Sequence, residues 1–155
     1  MAARSLGIRV ETDTVFWAVV EGEAQAPVLV DGGKIPAPIS EDEAGRLIAQ
    51  RRAVLDLISE HQPQIVFVRF PESMYASRGE APRKRCRVEG VLMEAASRSI
   101  PVRTGPLSTI GKGLGIDAKA AKALRDENAD LRGLDWSKRD EYTREAILAA
   151  AAALG

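Results

Sequence analysis

An apolar hairpin near the start of the chain constrains the fold more than any other segment. In residues 6–20, LGIRVETDTVFWAVV, the apolar Leu6, Ile8 and Val10 alternate with a glycine and an arginine, which is the period-two pattern of a β-strand. A short polar turn separates this strand from a second run rich in β-branched and aromatic residues. Two such runs joined by a short turn are typical of a β-hairpin, so we expect a sheet that opens with antiparallel strands.

After the hairpin, strand-like apolar runs alternate with amphipathic helical patterns. The predicted elements are a strand at 28–30, a helix at 41–60, a strand at 65–70, a helix at 85–99, a strand at 100–103, a glycine-rich loop or short helix at 106–115, and helices at 118–125 and 137–154. Ser40 and Glu43 are predicted to form a capping box before the first helix. The nearly continuous apolar run at 65–70 indicates a central strand covered on both faces. This order predicts an α/β domain with a mixed sheet.

Composition narrows the functional classes. A chain of 155 residues suits a single domain, 1–155, and its 22 basic residues equal its 22 acidic ones, so net charge alone does not favour nucleic acid. Cys86 is the only cysteine and His61 the only histidine, which excludes an intramolecular disulfide and histidine-rich zinc sites and disfavours most catalytic triads. No leader-like segment or membrane-spanning apolar run is present in the sequence, so we expect a cytoplasmic protein without a membrane anchor.

Several segments together resemble RuvC-type Holliday-junction resolvases of the RNase H-like superfamily. The frame Gly7-Ile8 and the spacing to residues 17–20 match the opening hairpin of those enzymes, and residues 62–69 match their Gln-Pro step into the fourth strand. Residues 90–102 and 106–115 resemble the following helix, strand and glycine-containing segment. The resemblance implies an RNase H-like fold: a five-stranded mixed sheet, three antiparallel then two parallel strands, with helices on both faces. It also implies a homodimer.

The resemblance places the chemistry on four carboxylates that hold two Mg²⁺ ions, which activate water and stabilise the leaving oxygen of a phosphodiester. The first acid belongs to strand one and the second to the end of strand four, where this chain has Arg9 and Arg69. The last helix keeps Asp140, Glu141 and Glu145, of which Glu145 matches the family pattern best. Two arginines would repel a divalent cation, so we expect no metal site in the family's form and no cofactor.

Three interpretations of the two arginines remain open. They could pair with Glu145 or Asp140 and fill the former metal site, since arginine favours partly buried bidentate pairs. Their guanidinium groups could instead stay free and bind a phosphate or another anion. The third alternative is a divergent nuclease whose Mg²⁺ site is rebuilt from acids two or more residues away from the family positions, namely Glu11, Asp13 and Glu72. Turn formation and solvent exposure explain those acids equally well.

A cluster of basic residues leads into the second predicted helix. Its members are Arg78, Arg83, Lys84, Arg85 and Arg87. Such a cluster could neutralise the phosphates of DNA or RNA and give salt-dependent binding without sequence preference, or it could be a solvated surface run without a partner. The overall hypothesis is a catalytically degenerate RuvC-like protein that keeps a nucleic-acid-binding surface. The alternatives are the rebuilt nuclease and a non-enzymatic dimerising or partner-binding protein.

Overall fold

The structure is a computed structural model that describes residues 2–72, 78–126, 131–134, 136 and 139–155. Its centre is one five-stranded sheet with the strand order β3-β2-β1-β4-β5. The strands are β1 (Arg4–Glu11), β2 (Thr14–Glu23), β3 (Ala26–Ile35), β4 (Ile65–Arg69) and β5 (Val102–Gly105).

The pairing follows the expected pattern. The first three strands pair antiparallel in sequence order, and β4 and β5 add parallel to the free edge of β1. The strand β1 is therefore central, which explains why six consecutive residues of it are buried. The fold class expected from the sequence, α/β with a mixed sheet, is confirmed.

The third strand is longer than the sequence predicted. The sequence predicted a strand at 28–30, but Gly32 and Gly33 continue the pairing and lie opposite Ala18 and Trp17 of β2. A Cβ atom on Gly33 would be only 3.4 Å from the Trp17 ring, so the absence of side chains here lets the indole lie against the strand. A register shift opposite Val19 and Val20 absorbs the irregularity that turn-forming residues introduce.

In the part of the chain that the structure describes, five helices cover the two faces of the sheet. They are α1 (Glu43–His61), α2 (Glu80–Ser97), α3 (Leu107–Leu114), α4 (Ala118–Asp126) and α5 (Glu141–Ala153). Side chains of α1 and α2 join the core on one face, where Val54 and Leu92 meet Ile8 of β1. The opposite face carries α3 and α5, where Ile110 and Ile147 meet Phe67 of β4. Within the described ranges, no helix combines the length and apolar character needed to cross a bilayer.

Three helices begin at other residues than the sequence predicted. Asp42, not Ser40, caps α1, and its carboxylate accepts the Gly45 N–H at 2.8 Å. The helix α2 begins at Glu80, five residues early, because Pro82 falls in its first turn, where proline is tolerated. The helix α5 begins at Glu141 rather than 137, because the Asp140 carboxylate caps it by accepting the Thr143 N–H at 2.8 Å.

The contact between α5 and β1 fixes the geometry of the molecule's centre. A Cβ atom on Gly7 would lie 1.9 Å from the Ala146 carbonyl oxygen, so only glycine allows this approach of helix and strand. The hydroxyl of Ser5 donates to the Ala150 carbonyl at 2.5 Å. A run of buried alanines along α5 keeps the helix axis close to the sheet. The first turns of α5 are thereby held above the carboxyl ends of β1 and β4.

Candidate functional site

Two arginines face each other at the carboxyl ends of the central parallel strands. Arg9 of β1 and Arg69 of β4 are direct partners in the parallel register. Side chains alternate along a strand, so both point to the face covered by α5, as Gly7 does. Both are buried, Arg9 to 8% and Arg69 to 2% relative exposure. Like charges placed so close require a counter-charge.

Glu145 of α5 supplies that counter-charge. Its Oε2 atom lies 2.5 Å from Arg9 Nε and 3.2 Å from Arg69 Nε, and the carboxylate is 1% exposed. The expected pairing of an acid of the last helix with these arginines is confirmed. A third guanidinium joins from α4, because Arg125 Nη1 donates to Glu145 Oε1 at 3.0 Å. One buried carboxylate therefore serves three arginines.

Two further carboxylates complete the outer side of this cluster. Arg9 Nη2 donates to Glu11 at 3.2 Å, and Arg69 Nη2 donates to Glu72 at 2.7 Å. The remaining guanidinium nitrogens use backbone acceptors, the carbonyl of Val10 for Arg9 and that of Phe70 for Arg69. Three guanidinium groups thus form ion pairs with three glutamate carboxylates. Burial, and secondarily the positive charge of Arg9, lower the pKa of Arg69 against the opposing pull of Glu145 and Glu72.

Arg125 was not identified as a site residue from the sequence. The sequence predicts a helix that ends at this residue, but nothing in the periodicity says that its last turn lies over α5. Asp126 accepts from Arg125 Nε at 2.8 Å, and this hydrogen bond, opposed by burial and supported by Glu145, raises the pKa of Arg125. In the sequence, the only feature that points to Arg125 is its position at the polar end of an amphipathic helix, and many surface arginines have the same position.

The other acids named from the sequence lie elsewhere or are already engaged. Asp140 is the N-cap of α5, and Glu141 is exposed on its first turn. Asp13 lies in the β1–β2 turn, where its carbonyl accepts a hydrogen bond from Gln50. Of the three acids proposed for a rebuilt metal site, Glu11 and Glu72 reach the cluster, but each is paired with an arginine.

The residues present do not fit a two-metal centre. Mg²⁺ requires several oxygen ligands in near-octahedral geometry, and at the cluster's centre every carboxylate oxygen already faces a guanidinium. Among the described residues, no three His, Cys, Asp or Glu side chains are grouped so that they could hold a metal ion.

The basic run is less exposed than the sequence suggested. Arg83 and Lys84, which were expected just before the helix, lie with Arg85 and Arg87 in the first half of α2. Arg85 turns inward, with Nε 3.8 Å from Glu89, and Arg87 forms an ion pair with Glu43 of α1. Arg83, Lys84 and the exposed Arg78 form no ion pair with an acid in the described part of the chain.

Glu89 itself is a buried acid outside the arginine cluster. Burial raises the pKa of Glu89 to about 7, although the positive charges of Arg85, Arg9 and Arg69 act in the opposite direction. Its Oε2 atom and the Nε atom of Arg85 have no hydrogen-bond partner. The pair is therefore an ion pair without a direct hydrogen bond.

A surface groove opens beside the cluster, between α3 and α4. Its volume is about 530 Å³, and its walls carry Glu72, Leu107, Ser108, Ala118, Lys119, Lys122 and Arg125. Three of these side chains are cationic and come from one face of α4. The groove and the arginine cluster share Glu72 and Arg125, so they form one continuous polar region.

Comparison with known proteins identifies the architecture. No protein-family model and no curated protein matches the sequence. The structure superposes on Thermus thermophilus RuvC with a TM-score of 0.77 at 20% identity, over 96% of this chain and 92% of that one. The same protein in complex with a Holliday junction substrate gives 0.72 at 19% identity, over 97% and 91% of the two chains.

A mitochondrial relative extends this likeness. The yeast mitochondrial Holliday junction resolvase Ydc2 superposes with a TM-score of 0.64 at 12% identity, over 97% of this chain and 77% of that one. Identities this low establish the architecture and not the activity. With its strand order and helix placement, the chain has the RNase H-like fold of RuvC-type resolvases.

Proposed function

We propose that this protein is a RuvC-fold protein without metal-dependent nuclease activity that binds the phosphate backbone of nucleic acid. The observation that carries the proposal is the convergence of Arg9, Arg69 and Arg125 on the single carboxylate of Glu145. These cations occupy the position where a nuclease of this fold needs free carboxylates. A phosphodiester could still approach, but no metal would be present to activate water.

The case for nucleic acid rests on fold and charge together. One solved relative of this fold is bound to a Holliday junction substrate. Arg78, Arg83 and Lys84 at the start of α2 carry charges that no described acid neutralises, and Lys119 and Lys122 line the groove beside the cluster. A cation that is not paired with an acid of the protein can instead neutralise a phosphate of the backbone, and the counterion bound there is then released.

The first test is cleavage. Purified protein is incubated with four-way junction, duplex and RNA–DNA hybrid substrates in the presence of Mg²⁺, Mn²⁺ or EDTA. We expect no cleavage in any condition. Metal-dependent cleavage that disappears in Glu11→Ala or Glu72→Ala would overturn the proposal and favour the alternative, a divergent nuclease with a rebuilt carboxylate site.

The second test is binding, measured by fluorescence anisotropy across a salt series. We expect affinity to fall steeply with salt, and the Arg83→Gln/Lys84→Gln variant to bind more weakly with a shallower slope, since each lost phosphate contact reduces the slope by about 0.9. The matched control is Arg52→Gln/Arg98→Gln, which removes the same charge from exposed positions on α1 and the far end of α2. If the wild type does not bind, a role as a protein-binding subunit replaces the nucleic-acid role.

We further propose that the protein forms a homodimer, as the resemblance to RuvC-type resolvases implies, and that it acts in the cytoplasm. Light scattering coupled to size-exclusion chromatography tests the first statement, with twice the chain mass of 16.7 kDa as the expected result. Fractionation of the source cells tests the second.

A further inference from the structure

Glu72 occupies a position that has the properties of an anion-binding site. Its Oε1 atom accepts hydrogen bonds from the Leu107 N–H at 3.1 Å and from Arg69 Nη2 at 2.7 Å. Leu107 is the first residue of α3, so this N–H belongs to the positive end of a helix dipole. The Glu72 side chain is 52% exposed, although the arginine it contacts is 2% exposed.

The groups around Glu72 come from the protein interior and from the groove. Arg69 is held rigidly by Glu145 and the Phe70 carbonyl, and its buried Nε atom has an ion-pair contact but no hydrogen-bond partner among the described residues. The groove adds the hydroxyl-bearing Ser108 and the cationic Lys119 and Lys122. These groups supply donors of the type that phosphate oxygens accept.

The electrostatics of Glu72 indicate how strongly this position favours negative charge. Burial opposes ionisation of the carboxyl group, yet the pKa of Glu72 is lowered, because the charge of Arg69 and the Leu107 N–H outweigh that effect. An anion placed here is therefore stabilised although it is partly removed from water. The groove next to it has room for a group larger than a carboxylate.

We propose that the Glu72 carboxylate is an internal substitute for a phosphate group, and that a phosphate ligand displaces it and binds the Leu107 N–H, Arg69 and the groove lysines. The half-exposed Glu72 side chain can rotate into solvent, while the buried arginine stays in place. When Glu72 rotates away, Arg69 keeps only the Glu145 carboxylate, which it shares with Arg9 and Arg125, and the incoming anion replaces the lost negative charge. This inference deepens the proposed function, on which it rests for its biological meaning.

Glu11 provides a matched control for this idea. It also pairs with a buried arginine of the cluster, at 3.2 Å from Arg9 Nη2, and its side chain is 38% exposed. It lies at the end of β1, however, and neither lines the groove nor accepts from a helix N-terminus. Truncation of either glutamate changes the net charge of the cluster equally, but only truncation of Glu72 opens the proposed site.

The experiment uses inorganic phosphate and pyrophosphate as probes, with isothermal titration at constant ionic strength in chloride. We expect Glu72→Ala to bind pyrophosphate at least about tenfold more tightly than the wild type, and Glu11→Ala to bind like the wild type. Adding Lys119→Ala/Lys122→Ala to Glu72→Ala should remove the gain. The Glu72→Gln variant, which keeps an acceptor for the Leu107 N–H, protects the test against misfolding and should show a smaller gain.

Equal gains in Glu72→Ala and Glu11→Ala would overturn the inference, because net charge would then explain the effect. The absence of any gain in either Glu72 variant would overturn it as well. A parallel titration with a dinucleotide separates a backbone phosphodiester from free phosphate as the ligand, and tighter binding of either in Glu72→Ala supports the site. Because these probes contain no junction or duplex, failure here leaves the nucleic-acid function standing, and failure of nucleic-acid binding leaves this site standing.

Discussion

At the scale of single residues, the arginine cluster places three guanidinium groups around the buried carboxylate of Glu145. Glu145 is removed from water, which is unfavourable by several kcal/mol for a carboxylate, and three guanidinium groups share its two oxygens. Such a network contributes little net stability when complete. Loss of Glu145 removes the buried carboxylate that the three arginines share and leaves Arg9 and Arg69 with only the partly exposed Glu11 and Glu72, and this asymmetry makes the network testable.

Glu145→Ala should destabilise the protein by about 3–5 kcal/mol, because removal of one partner of a buried ion pair leaves uncompensated charge. Glu141→Ala, on the exposed first turn of the same helix, should change the free energy of unfolding by less than about 1 kcal/mol, the size of a helix-dipole contribution. Urea unfolding of the two variants measures the difference. Similar values for both would show that Glu145 is not the centre of the cluster.

Glu89 gives a prediction about pH. Its folded-state pKa of about 7 is raised above the ordinary 4.5, so its contribution to stability is fully present below about pH 4.5 and is lost as the pH rises to about 7. Glu89→Gln removes this loss. The variant should therefore gain stability relative to the wild type between pH 5 and pH 8, by at most about 3 kcal/mol for a shift of this size. Chemical unfolding at both pH values checks the prediction, and a constant difference would contradict it.

The sequence identified the residues of the cluster whose positions the resemblance to a known family supplied. It missed a residue whose place in the cluster depends on tertiary contacts. Arg9, Arg69 and Glu145 were identified because the fold places three such positions together. Arg125 was missed because its role depends on the packing of α4 against α5, which neither propensity nor periodicity encodes. The Arg83–Arg87 run was predicted as one exposed patch, but the early start of α2 turns Arg85 inward.

At the scale of elements, the close approach of α5 to β1 determines where Glu145 stands. Gly7, Ser5 and the alanines of α5 bring the helix backbone next to the central strand. The sequence shows the alanines and the glycine but not that they meet, because they are separated by most of the chain. If larger side chains held α5 farther from the sheet, Glu145 would lie farther from Arg9 and Arg69.

Gly7→Ala should destabilise the protein by about 3 kcal/mol or more, the upper range for overpacking, since its Cβ would meet the Ala146 carbonyl oxygen at 1.9 Å. The control is Gly90→Ala in the exposed interior of α2, where a Cβ meets nothing within 4 Å and helix propensity predicts a gain of about 0.5–1 kcal/mol. Thermal and urea unfolding should give opposite signs for the two substitutions. A small effect at Gly7 would mean that α5 does not approach β1 this closely.

At the scale of the whole molecule, the chain has the fold of RuvC-type resolvases, and arginines lie at the ends of its two central parallel strands. Parallel β1 and β4 end side by side under α5, so the topology itself gathers their last side chains into one place. The resemblance to RuvC-type resolvases implies carboxylates and metals at that place. Here arginines and a glutamate fill it. The α/β class with a mixed sheet was predictable from local periodicity, whereas the arrangement of three antiparallel and two parallel strands was expected from the resemblance to RuvC-type resolvases.

The strongest test of this view is to restore the acids. Arg9→Asp/Arg69→Glu places two carboxylates beside Glu145 at the carboxyl ends of β1 and β4. Without metal, the clustered negative charges should lower the melting temperature. Binding of Mg²⁺ or Mn²⁺ to the folded state only should raise it again in a concentration-dependent way, by about 2.7 kcal/mol of stability at a hundred times the dissociation constant.

The control variant is Arg9→Gln/Arg69→Gln, which removes the same two cations without adding carboxylates and should show no metal-dependent shift. Arg125 still pairs with Glu145 in both variants, at 3.0 Å in the wild type. Adding Arg125→Ala to the restored pair should therefore tighten metal binding, because the last cation that competes for Glu145 is gone. If Mg²⁺ stabilises the restored and control variants equally, or neither, then the ends of β1 and β4 do not form a former metal site, and the explanation of Arg9 and Arg69 as its replacements is wrong.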